Sequence, residues 1–222
     1  MQLFGNNLIR KCLVLWGVLC VFAAQIVQAN DDIQYWNSIN VNRSISEKVN
    51  IHVNLVQKFI RQMGTFGLWN YKPGITYHFS DNFSLSSDYQ YEERIAEPEW
   101  LKEHRFDLVP VIRTSLSGFN LRSQTKIEHR NIDSEISWRI REKIYVITDI
   151  TMPKINLSAF FTQEFFYSLT PDGFNQSRTQ IGSTIPLNSI LRVQVFYILK
   201  QSKRPDFWLR EHGIGTSFGI VL

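Results

Sequence analysis

Past residue 29 the sequence contains no cysteine: among 222 residues the only two, Cys12 and Cys20, lie in the N-terminal stretch. A chain shorn of that stretch has no disulfide, no thiolate metal site and no cysteine nucleophile. Other chemistry-bearing patterns are missing as well. There is no His-x-x-x-His pair, no EF-hand loop and no Walker lysine. Gly64-Thr65-Phe66-Gly67 and Gly213-Ile214-Gly215 read as loop and strand glycines. Neither a cofactor nor a metal is expected. Excess charge is scarce too, because the formal net charge of +4 falls to +2 once Arg10 and Lys11 are discounted. No nucleic-acid partner is therefore expected.

The N-terminus has the layout of a secretory leader. Arg10 and Lys11 form a basic start, Cys12 to Val27 an apolar run, and Val27-Gln28-Ala29 a small-residue exit. Residues 1–29 are read as a cleavable signal peptide and 30–222 as the mature domain. The implied address is the outer membrane of a Gram-negative bacterium, reached by export through the inner membrane.

What the mature chain has in abundance is alternation. Phe83, Leu85, Tyr89 and Tyr91 share one parity, with Ser84, Ser86, Asp88, Gln90 and Glu92 on the other. Phe119, Leu121 and Ile127 repeat the pattern against Arg122, Lys126 and Glu128. Side chains of a strand point alternately to opposite faces, so each segment builds one apolar and one charged wall. The pattern predicts an all-β fold, an antiparallel up-and-down transmembrane β-barrel of about 10–12 strands. The charged fraction is an ordinary 20%, as a barrel's polar interior requires, while aromatics reach 14%.

Strands are predicted at 32–43, 49–59, 67–79, 83–93, 104–115, 119–130, 135–146, 155–167, 177–187, 189–200 and 207–222. That is eleven, against the even count of bacterial single-chain barrels, so ten or twelve is expected, with the miscount placed at Val146 to Lys154. Tight turns at 80–82, 116–118 and 187–188 should share one rim, and longer links at 95–103, 169–176 and 201–206 the other. Pro73 and Pro110 fall inside strands, where bulges or strand ends are expected. Glu142 and Gln163 interrupt the apolar parity and should lie near a headgroup boundary. Trp36, Trp69, Trp100, Trp138 and Trp208 sit near strand ends, the places of an aromatic girdle. The apolar C-terminal strand suits recognition by barrel-assembly machinery, though it finishes in Leu222 where Phe or Trp is usual.

The polar parity carries the candidate lumen residues. Its basic members are Lys72, Arg113, Arg122, Lys126, Arg139, Arg141, Lys143, Arg178 and Arg192; its acidic members are Asp88, Glu92, Asp107, Glu128 and Glu164. Two readings follow: an anion-preferring pore or pocket, or side chains that pair across a narrow interior and plug it. The plug is favoured. Histidines at 52, 78, 104, 129 and 212 supply no catalytic serine couple, so an enzyme such as a lipid hydrolase or acyltransferase stands as an alternative beside a soluble lipocalin-like barrel. The partners expected are membrane lipids and the assembly machinery, and the protein is read as a monomer.

Finally, Gln34-Tyr35-Trp36-Asn37-Ser38-Ile39, running into Lys48-Val49-Asn50-Ile51-His52-Val53, resembles a bacterial family of unknown function, numbered 2490 among such domains. Arg178-Thr179-Gln180-Ile181-Gly182 and Arg210-Glu211-His212-Gly213-Ile214-Gly215 are similar to its later segments. The resemblance implies an outer-membrane barrel and brings no activity, ligand or active site.

Overall fold

The computed structural model describes residues 32–96, 98–152, 155–170 and 173–222. The leader expected over 1–29 lies outside the described residues. Eleven strands follow in order: β1 (Asp32–Ser44), β2 (Val49–Ile60), β3 (Thr65–His78), β4 (Phe83–Ala96), β5 (Glu99–Leu116), β6 (Phe119–Ile132), β7 (Glu135–Met152), β8 (Ile155–Ser168), β9 (Phe174–Pro186), β10 (Leu191–Lys203) and β11 (Trp208–Val221). Sequence neighbours pair, and β1 closes on β11 to complete a barrel. No ladder is left open, which is what a wall in hydrocarbon requires.

The expectation of ten or twelve strands is corrected to eleven. Val146 to Met152 hides no extra strand, because it is the end of β7; the rest of that stretch, positions 153–154, lies outside the described residues. An odd count sends the first and last strands in the same direction. Ten seams are therefore antiparallel, and the closing seam is parallel, in register from Asp32↔Glu211 to Asn42↔Val221.

The first rim is the end where β1 begins, the second rim the end where β11 finishes. The expected contrast of long loops and tight turns is absent. On the first rim the longest link covers positions 169–173, and on the second no link exceeds the span of 45–48. Ile95 to Glu103, read as a loop, is mostly strand, since β4 reaches Ala96 and β5 starts at Glu99. Ser117-Gly118 and Asp133-Ser134 each take positive φ at both positions. That is the type I′ geometry whose twist suits adjoining strands.

Neither internal proline makes a bulge. Pro73 keeps its pairing with Val53, while the β3–β4 ladder lapses at Lys72 and Pro73 and resumes in the same register. Pro110 stays opposite Leu85, and the β5–β6 ladder lapses beside it. A missing N–H removes a rung without displacing the strand. The bulges fall at Lys58/Phe59 and Phe166/Tyr167.

The alternation resolves as an inside and an outside. Phe106 is 60% exposed, Ile112 59% and Ile127 37%, whereas Lys126 is 7% and Glu128 0% exposed. Apolar side chains face away from the barrel and ionic ones face its axis. A lipocalin-like barrel would need the reverse. The fold is a transmembrane β-barrel. Trp69, Trp100, Trp138 and Trp208 lie at the first rim on the outward parity, joined by ring contacts such as Phe66–Trp100 and Phe174–Trp208. Trp36 departs from the expected girdle: it is buried on the inward parity, and its Nε1 donates to Gln34 Oε1 at 2.9 Å.

Glu142 and Gln163 also depart from expectation, since both lie mid-strand, far from either rim. The Glu142 carboxylate accepts hydrogen bonds from Ser123 Oγ at 2.5 Å and Thr125 Oγ1 at 2.6 Å, and Gln163 Oε1 accepts one from Thr179 Oγ1 at 2.7 Å. Neighbouring hydroxyls, in place of headgroup water, satisfy these polar groups on the outer face.

Candidate functional site

Inward parity brings strands from all sides of the barrel onto one cavity of about 620 Å³. Eleven of its lining residues are Lys or Arg and only two, Glu92 and Glu164, are acidic. Lys72, Lys126, Arg139, Arg141, Lys143 and Arg178, among the basic residues singled out from the sequence, are part of that lining. The imbalance has a geometric cause. Most of the acids lie back against the wall, and the cations reach over them toward the axis.

The acids are centres of ion-pair clusters. Glu128 takes Arg139 Nε at 2.5 Å, Arg141 Nη1 at 2.7 Å and Arg105 Nη1 at 3.5 Å. Glu164 takes Arg141 Nη2 at 2.5 Å and Arg178 Nη1 at 3.3 Å, so Arg141 bridges both carboxylates. Asp88 accepts His52 Nε2 at 3.0 Å and lies 3.2 Å from Lys72 Nζ. Asp107 lies 3.3 Å from Lys126 Nζ, although both its oxygens are buried without a hydrogen bond among the described residues. Glu92 accepts from Gln90 Nε2 at 2.9 Å and pairs with Arg94 at 3.3 Å. Charge-assisted bonds of this kind fix side chains firmly, and removing a shared carboxylate such as Glu128 or Glu164 takes a partner from two or more buried cations.

Sequence reading missed the most connected acid. Glu103 is 1% exposed and holds Arg105 at 2.6 Å, Arg130 at 2.7 Å and Arg94 at 2.8 Å. Its polar surroundings, Ile95 to Glu103, read as a loop. Extending the β5 alternation backwards from Arg113 through Asp107 to Arg105 and Glu103 would have found both partners.

The remaining three candidates lie apart from the main cavity. Arg113 lines a second cavity of about 740 Å³ with Asn50, His78, Ser80 and other second-rim residues, and its Nη1 donates to Ser84 Oγ at 2.9 Å. Arg122 stacks on the Tyr145 ring, 3.5 Å from its centroid. Arg192 is exposed at the second-rim end of β10. None of the three has a carboxylate within ion-pair distance among the described residues, and neither have Lys58 and Lys143. Lys58 lies 3.7 Å over the Trp36 ring, and Lys143 donates to Gln180 Oε1 at 3.0 Å. On β2, Asn54 lines the main cavity and Asn50 the second one, with His52 and its partner Asp88 between them.

Across the lumen from these clusters the wall is thin, and it carries the Lys200–Glu211 pair at 2.6 Å. β11 turns Gly213, Gly215, Ser217 and Gly219 inward, and β1 adds Ser38 and Asn40. Asn40 bonds Ser217 Oγ at 2.9 Å and also accepts from Asn54. A Cβ on Gly215 would run into the Phe196 ring, so this strand leaves space that a neighbouring aromatic partly takes.

The histidines divide by face. His52 and His78 point inward, to Asp88 and Asn50; His104 and His212 bond outward-facing tyrosines, Tyr89 and Tyr197, and His129 meets the Trp138 ring edge-on. None of these contacts includes a serine. Among the described residues no group of three or more His, Cys, Asp or Glu could hold a metal ion.

A closed barrel with apolar staves and an ionic lumen defines the class as an outer-membrane-type β-barrel. The model of the family described as "Protein of unknown function (DUF2490)" matches residues 33–210, and the chain belongs to that family. No curated protein matches its sequence. Among solved structures, a bacterial polysaccharide outer membrane secretin is similar with a TM-score of 0.52 at 8% identity, covering 79% of this chain and 64% of that one. The chain thus spans less than two thirds of that protein's length, and the likeness is one of fold. The KdgM porin in complex with disordered oligogalacturonate aligns with a TM-score of 0.46 at 10% identity, over 83% of this chain and 96% of that one.

Proposed function

We propose that this protein is an exported, monomeric outer-membrane barrel acting as a narrow, anion-preferring passage. The observation that carries the reading is the lining of the main cavity, eleven cations against two acids. Rings of basic side chains select anions by lowering their energy in the pore and raising that of cations. The cavity of about 620 Å³ itself favours a passage over the fully plugged barrel expected from the sequence, because the long side chains that line it leave space between them. The name of the secretin-like neighbour adds polysaccharide as a class of solute worth testing. Export by the 1–29 leader, insertion by barrel-assembly machinery and contact with lipid belong to the same reading. Recording from the purified protein in planar bilayers under a KCl gradient tests it: the zero-current potential should take the sign set by chloride. A silent protein would favour the plug.

A further inference from the structure

Toward the second rim, Arg113 on β5 and Arg122 on β6 are cross-strand partners, and both face inward. Directly opposed residues place their Cβ atoms about 5 Å apart, and like charges so placed repel. The opposed cations Arg105 and Arg130, nearer the first rim, share the Glu103 carboxylate. Here neither has one among the described residues. Arg113 is steadied by Ser84 Oγ, and Arg122 by the face of Tyr145, whose hydroxyl donates to Gln124 Oε1 at 3.3 Å. Arg122 Nε is buried with no hydrogen-bond acceptor among the described residues, and a buried donor left so costs free energy.

Two guanidiniums held in fixed orientation, a donor without an acceptor among the described residues, and a second-rim cavity that Arg113 lines beside Lys48, Glu47 and Asp81 describe a receptor short of its anion. We propose that Arg113 and Arg122 form an oxyanion-binding station at the second-rim mouth, taking a phosphate or carboxylate group of a passing solute. Planar forks suit such groups, because each can donate two parallel hydrogen bonds. The anion would also relieve the repulsion between the two arginines. The inference rests on the reading of the lumen as an anion path, and it names where along that path the anion pauses.

The probe is inorganic phosphate, titrated with the full chain folded in detergent micelles and followed by phosphorus NMR line width. The wild type should broaden the signal saturably. Arg113→Gln and Arg122→Gln should each weaken binding about tenfold, the loss of one charge-assisted contact. Arg122→Lys, which keeps charge and loses the stacked fork, should fall between. Lys102→Gln, altering an exposed lysine at the other rim, should match the wild type. Heat-modified gel mobility verifies that each variant is folded. Broadening that does not saturate, or that is equal in Arg122→Gln and wild type, overturns the station. Anion selectivity without arginine-dependent phosphate binding removes the station and leaves the passage. Phosphate binding through both arginines in a barrel that passes no anion keeps the station and removes the passage.

Discussion

The lumen has two unlike halves. Toward the first rim Glu103, Glu128 and Glu164 gather Arg94, Arg105, Arg130, Arg139, Arg141 and Arg178 into shared ion pairs. Toward the second rim Arg113, Arg122 and Arg192 have serine, tyrosine or solvent for company. The same residue type is thus used in two ways. Paired arginines are internal scaffolding, whose positive charge the shared carboxylates offset only in part, six cations against three acids. Unpaired ones keep a field that an anion entering the barrel would meet.

That contrast breaks most directly at Glu128. Glu128→Gln takes away a buried carboxylate shared by three arginines, leaves Arg139 with none among the described residues, and should cost about 3–5 kcal/mol, read as a lower urea midpoint for unfolding from liposomes. A change as small as that of a surface residue would mean the clusters are ornament to the fold. Next comes the outer wall beside it. Ile127→Arg exchanges an outward apolar residue for a cation facing lipid and should cost about 2–4 kcal/mol in the same assay. A neutral result there would place Ile127 away from hydrocarbon. Gly74→Ala lies at the boundary of the two halves, where a Cβ would collide with the Asp88 carboxylate and the His52 ring. Overpacking of this kind costs about 1–3 kcal/mol, and backbone NMR should locate the disturbance at β2 and β4. Arg122→Gln should have the smallest effect on stability, below about 0.5 kcal/mol, since it removes a repulsion along with a stacking contact. A large loss would show that Arg122 belongs with the scaffold.

Much of this was legible in the alternation. The parity of Phe83 to Glu92 and of Phe119 to Glu128 fixed which residues face inward, because a one-residue slip would turn every ion into lipid. Strand ends were less legible. Glu103 was hidden because Ile95 to Glu103 is polar enough to resemble a loop, and only its neighbours in space reveal that this polarity is internal. The alternation itself yields eleven segments, against the even count general among bacterial barrels; the parallel β1–β11 seam is what reconciles eleven strands with a closed wall. Trp36 followed composition rules that favour a boundary, yet its parity with Gln34 and Ser38 placed it inside, beneath Lys58. Which arginines are paired could not be read at all. Pairing depends on cross-strand register, which links Arg113 to Arg122 and leaves Glu128 beside Arg139.

The division of the lumen is tested most directly by the zero-current potential across planar bilayers under a KCl gradient, for the wild type and the Arg113→Gln/Arg122→Gln double variant. The wild type should settle on the side set by chloride, and the double variant should move toward zero while remaining folded. A potassium-directed potential, or an identical chloride preference in both proteins, would contradict the assignment of the unpaired arginines to anion passage.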